Sequence, residues 1–76
     1  MNNRYSLGIM LLNQQAEQNR VGVKLGKKCI KLGIPVAEVA SRVGVSRQTV
    51  YNWFIGAYDP KPKLATVITQ LLRNLK

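Results

Sequence analysis

Glycine and proline cut this chain's apolar periodicity into short lengths, and that punctuation restricts the fold more than any other feature. Val21, Leu25, Cys29 and Leu32 fall at i, i+4, i+8 and i+11, one face of an amphipathic helix. Gly33 follows as a left-handed terminator. Pro35 cannot continue that helix but can open another. Val36, Val39, Ala40 and Val43 then recur at helical spacing until Gly44 interrupts. Ser46 suits an N-cap for the stretch Arg47 to Ile55, where Val50, Trp53 and Phe54 stand at i, i+3 and i+4. Gly56 ends that stretch, and Asp59-Pro60 carries turn chemistry. Pro62 fits the first turn of a last helix whose apolar face is Leu64, Ile68, Leu71, Leu72 and Leu75. Nothing alternates with period two long enough to require a strand. The expectation is an all-α, compact bundle of four to five short helices, four of them from about residue 20 onward. Gly26 lies inside the first of these four, where it costs about 1 kcal/mol relative to Ala. It marks a close approach by a neighbouring helix.

Residues 1–20 read differently. They hold seven Asn and Gln, two Arg and no Lys. Ser6 before the Leu7 to Leu12 cluster suits an N-cap for a short helix, whose apolar cluster is either a dimer contact or, as the favoured reading, a flap packed on the domain or a frayed terminus. The expected organisation is a polar extension over 1–20 and one helical domain over 21–76. A chain of 76 residues builds one small domain.

Charge narrows the function. Twelve Lys and Arg against three acids leave a net charge of +9, which costs a folded chain self-repulsion and suits a polyanionic partner. That partner is nucleic acid or an anionic membrane surface. Cys29 is the single cysteine, so no internal disulfide forms. No apolar run is long enough to span a bilayer, and the Leu7 to Leu12 segment is too short for a signal-peptide core. Those features point to the cytoplasm. With no His, one Cys and acids only at Glu17, Glu38 and Asp59, the chain offers no acid–base pair, metal-ligand cluster or phosphate-cradling loop. No enzyme activity, cofactor, metal or small-molecule ligand is expected.

The helix–glycine–helix at residues 36–56 carries the remaining information. Ala40, four residues before Gly44, is small enough for two helices to cross closely, and Gly44 takes positive φ without steric cost. Val39, Val43, Val45, Val50 and Trp53 supply apolar groups where both helices and the turn face the core. The stretch Val36-Ala-Glu-Val-Ala-Ser-Arg-Val-Gly-Val-Ser-Arg-Gln-Thr-Val-Tyr-Asn-Trp-Phe-Ile-Gly56 resembles the helix-turn-helix of the phage repressor and Cro type. The similarity runs upstream through Leu25-Gly26 and Leu32-Gly33-Ile34. It runs downstream through Gly56, Pro60, Ile68 and Leu72.

This resemblance implies a lambda-repressor-like fold, with a recognition helix from about Arg47 to Ile55 in the major groove of double-stranded DNA. Position by position it makes Arg47, Gln48 and Asn52 base readers, with Thr49 beside them. The chemistry agrees, because Arg pairs with guanine O6 and N7, and Gln or Asn with adenine N6 and N7. Phosphate contacts are expected from Lys24, Lys27 and Lys28, from Arg42, and from Lys61 and Lys63. The hydroxyls of Ser46, Tyr51 and Tyr58 are candidates for the same task.

The chain also departs from that family. Pro35 and Val36 stand where a hydroxyl cap and a phosphate-holding Gln are usual. Cys29 and Phe54 stand where an Arg–Glu ion pair is usual, and their joint replacement by apolar groups leaves no charge unpaired. The C-terminal structure through which such repressors often dimerise is missing. The leading expectation is a transcriptional regulator, a repressor from a phage or bacterium, acting in the bacterial cytoplasm or the infected host. If it forms a homodimer, it should prefer inverted half-sites about one helical turn apart. Competing readings are an accessory DNA-targeting subunit for recombination or packaging, and a protein-interaction module contacting RNA polymerase or another regulator. The exposed Tyr51 and Tyr58 and the apolar 7–12 segment would serve the latter. Membrane activity is improbable for short helices punctuated by Pro and Gly.

Overall fold

The computed structural model describes residues 5–75 and holds five helices. They are α1 (Leu7–Gln15), α2 (Val21–Leu32), α3 (Val36–Val43), α4 (Arg47–Phe54) and α5 (Pro62–Asn74). No strand occurs among the described residues. The all-α helix-turn-helix bundle is therefore the fold. Five of the boundaries fall on residue chemistry that ends or begins helices. Gly33 and Gly44 close α2 and α3 at φ 72° and 82°. Ser6 and Ser46 cap α1 and α4, their hydroxyls accepting from the Ile9 and Thr49 amides at 3.2 and 3.1 Å. Pro62 opens α5 at its first position.

α2 is the central element, touching α1, α4 and α5, while α3 packs on α4 and α5. Leu25 and Cys29 from α2, Val39 from α3, Val50, Trp53 and Phe54 from α4 and Ile68 from α5 are buried together. Burial, with the Glu38 carboxylate second, pushes the Cys29 thiol up to about 12. Cys29 and Phe54 are both fully enclosed, so neither position has room for an unpaired charge.

Two glycines set how deeply α4 sits on α2. A Cβ at Gly22 would stand 2.7 Å from Trp53 Cβ and 3.0 Å from the Trp53 carbonyl oxygen. One at Gly26 would stand 2.7 Å from Phe54 Cγ and 2.8 Å from Asn13 Nδ2. The close approach expected at Gly26 is thus present, and Gly22 extends it by one turn. The α2 face differs from its expected pattern at both edges. Leu32 is exposed, whereas Val23 is fully buried. The reason is that α1 and the turn after α4 cover a second flank of α2. A Cβ on Gly56 would lie 3.4 Å from Val23 and 3.1 Å from Ala16.

α1 is anchored by a polar group. Asn13, only 2 % exposed, donates from Nδ2 to the Phe54 carbonyl at 2.7 Å and to the Val23 carbonyl at 3.2 Å. The Phe54 carbonyl lies at the end of α4, where helix carbonyls lack an intrahelical partner. Ile9 and Met10 pack on the core, and Tyr5 is buried with its hydroxyl donating to the Ile34 carbonyl. Leu7, Leu11 and Leu12 remain exposed. Arg20 joins the two ends of the assembly, donating to the Gly56 carbonyl at 2.9 Å and pairing with Glu17 at 3.0 Å and Asp59 at 3.8 Å. No helix among the described residues is long and apolar enough to cross a membrane.

Candidate nucleic-acid interface

α4 has only eight residues, and its two sides do different things. A step of about 100° per residue puts Val50, Trp53 and Phe54 on one side and Gln48 and Asn52 on the other, while Arg47, seven residues before Phe54, shares the Phe54 direction at the first position of the helix. The first three are buried, Arg47 and Gln48 are exposed and Asn52 is partly exposed. The αL turn at Gly44 and the Ser46 cap fix the N-terminus of α4 relative to α3.

The polar side chains on this surface are partly committed to one another. The Ser46 and Thr49 hydroxyls share a hydrogen bond of 2.9 Å, while Ser46 also caps the helix. Gln48 Nε2 donates to Asn52 Oδ1 at 3.3 Å, and Asn52 Nδ2 donates to the Tyr58 hydroxyl at 3.0 Å. Arg47 has no carboxylate within ion-pair distance among the described residues. All three acids of the chain are engaged elsewhere, Glu17 and Asp59 by Arg20 and Glu38 by Arg42 at 3.2 Å. Arg47 is therefore unpaired within the described residues, while the Asp59 carboxylate lines the cleft beside α4 together with Lys61.

The structure brings some of the predicted residues together and separates others. Arg47, Gln48, Thr49 and Asn52 share the outer surface of α4 or its edge. Tyr58 and Lys61 lie beside them, lining with Thr49 and Leu64 a cleft of about 380 Å³ between α4 and the start of α5. Lys63 is exposed in the first turn of α5, and Arg42 is exposed on α3. Lys24, Lys27 and Lys28 are not part of this grouping. With Lys31 and Gln18 they line a separate groove of about 330 Å³ on α2. Helical spacing turns that row away from Gly22 and Gly26, the residues that meet α4. Tyr51 also departs from its exposed reading, because it is half-buried and packs against the core. The Asn52–Tyr58 bond links residues six apart across a turn, and no spacing rule in the sequence announces it. The aromatic in the loop after α4 was its only visible trace.

Residues 20–55, which run from the start of α2 to the end of α4, match the model of a homeodomain-like domain. The match supports a helix-turn-helix of the DNA-binding class and does not single out the phage repressor and Cro type. No curated protein and no solved structure matches the chain.

Proposed function

We propose that the protein binds double-stranded DNA sequence-specifically, seating the outer surface of α4 in the major groove, and acts as a transcriptional regulator. The observation that carries this reading is the exposed Arg47–Gln48 pair at the capped N-terminus of a helix whose other side is buried, with no carboxylate of the described residues in ion-pair distance of Arg47. An arginine fork matches guanine O6 and N7, and a carboxamide matches adenine N6 and N7. A two-turn helix fits the major-groove width. Lys61, Lys63 and Arg42 flank α4 and supply the phosphate contacts that position it. Lys24, Lys27 and Lys28 fall outside the duplex contact in this reading, because the α2 body separates them from α4. Repression by occupying a promoter is the favoured mode of regulation. The place of action is where DNA is accessible, inside the cell.

The test is selection from a randomised duplex pool near physiological salt, with wild type and an Arg47→Ala, Gln48→Ala double variant run in parallel. Wild type should enrich a defined sequence and the double variant should lose it. An inverted repeat in the enriched sequence would report a homodimer, and a single half-site a monomer. Enrichment of nothing beyond salt-sensitive general binding would sink the reading in favour of a protein-contacting module.

A further inference from the structure

Among the polar groups of α4, the hydrogen-bond inventory separates readers from supports. Gln48 spends one hydrogen of its amide on Asn52 Oδ1. Its second amide hydrogen and its carbonyl oxygen stay uncommitted, and these two are the groups that face adenine N7 and N6 in a bidentate pair. Asn52 is in the opposite condition. Its carbonyl accepts from Gln48 and its amide donates to Tyr58. These bonds leave Asn52 one amide hydrogen and one lone pair, but a half-buried carboxamide held at both ends cannot turn them to suit a base, whereas the exposed Gln48 is held at one end. Thr49 is likewise engaged with Ser46. Tyr58 anchors the series from outside α4, on the loop that precedes α5.

We infer that Gln48 is the adenine-reading residue of α4, and that Asn52 and Tyr58 are positioning residues that hold its carboxamide in reading orientation. This deepens the DNA-binding reading and rests on it. The physical gain is entropic. A free Gln side chain loses rotamer freedom when it pairs with a base, and a chain of hydrogen bonds made beforehand removes part of that cost. The loop after α4 thereby takes part in base discrimination without touching a base. Tyr58, which the sequence suggests as a phosphate contact, acquires a different task.

Two measurements on the full chain test the relay. The first needs no DNA. Side-chain amide relaxation by NMR should show the Gln48 and Asn52 carboxamides ordered in the free wild-type protein and loosened in Tyr58→Phe. Unchanged relaxation in that variant overturns the relay. The second uses the duplex enriched by wild type, with each base pair replaced in turn. Gln48→Ala should lose about tenfold or more in discrimination at one A·T pair. Asn52→Ala and Tyr58→Phe should lose a smaller factor, about threefold, at that same pair, with the salt dependence unaltered. Loss at a different pair in Asn52→Ala would make Asn52 a reader in its own right and overturn the assignment. Uniform weakening on all sequences in Tyr58→Phe, with a shallower salt slope, would make Tyr58 a phosphate contact and do the same. If wild type enriches no sequence, the DNA-reading proposal itself fails. The NMR result then still reports whether the relay exists.

Discussion

Replacing Gly26 by alanine puts two well-characterised effects in opposition, and the structure decides which wins. On helix propensity alone the change stabilises α2 by about 1 kcal/mol. The new Cβ, however, would stand 2.7 Å from Phe54 Cγ, 2.8 Å from Phe54 Cβ and 2.8 Å from Asn13 Nδ2. Neither neighbour yields easily. Phe54 is fully buried, and Asn13 is held by its bonds to the Phe54 and Val23 carbonyls. Overpacking of this kind costs about 1–3 kcal/mol. Displacing Asn13 leaves the buried Phe54 carbonyl unsatisfied for about 1–3 kcal/mol more. The expected outcome is a net loss of about 2–3 kcal/mol. For a domain of this size that corresponds to a drop in Tm of about 10–20 °C. Thermal or urea unfolding followed by circular dichroism reads it directly. Gly8→Ala supplies the contrast, since a Cβ there meets nothing nearer than Ser6 Oγ at 3.9 Å and should leave stability equal or slightly raised. Gly22→Ala should cost at least as much as Gly26→Ala, because its clash includes the Trp53 backbone, which cannot rotate away. A Gly26→Ala protein as stable as wild type would refute the claim that this contact seats α4.

Four further outcomes are expected. Ser46→Ala removes the hydroxyl that caps α4 and should lower stability by about 1 kcal/mol, read as a shifted urea midpoint with unchanged m-value. The Cys29 thiol should resist Ellman's reagent at pH 8 until the chain unfolds, and rapid labelling of native protein would contradict its burial. Its value of about 12 against the usual 9.0 means that the native state keeps a proton which the unfolded state releases above about pH 9. Stability should therefore fall as pH rises from 9 toward 12, with Tyr5, also raised by burial, adding in the same direction. Finally, Lys61→Gln should reduce the slope of log affinity against log salt by about one, while a combined Lys24→Gln, Lys28→Gln, Lys31→Gln variant should leave that slope unchanged. The reverse result would place α2, not the α4–α5 side, against the phosphates.

Local backbone chemistry made the helix boundaries legible from sequence. Gly33, Gly44, Ser46 and Pro62 each act on their own neighbours, so their effect is readable without knowing what lies across the core. The α4 surface was legible for the same reason, because three apolar residues in eight fix which side is inward. What escaped were features set by two distant segments. Val23 is buried because the turn at Gly56 and α1 close over it. Asn13 reads as part of a polar run, yet it is buried because the end of α4 needs a donor there. Gly22 gives no local signal separable from a helix start, although it is as close to Trp53 as Gly26 is to Phe54. The lysines of α2 were named as phosphate contacts from their charge, and the structure places them in a groove separate from the α4 surface.

The position of Asn13 also bears on how the proposed readout and the stability are partitioned along α4. The C-terminal half of the helix holds Trp53 and Phe54 against the α2 glycines, and its last carbonyl is tied to α1. The N-terminal half carries Arg47 and Gln48, which make no core contact, and is fixed by the Ser46 cap and the Gly44 turn. Substitutions at positions 47 and 48 should therefore change what is bound without changing whether the chain folds, since both side chains are exposed and neither makes the capping bond, and such surface changes usually shift stability by about 0.5 kcal/mol or less. Asn52 sits where the two halves meet. It is partly buried and bonded outward to Tyr58 on the loop leading into α5. Anything that shifts Phe54, such as Gly26→Ala, would move Asn52 by less than one helical turn's reach and misdirect Gln48 before it unfolded the chain. A protein that stays folded at low temperature but loses discrimination at a single A·T pair is thus the expected signature of a disturbed α2–α4 seat. General loss of duplex binding at that temperature would instead locate the damage at the phosphate contacts.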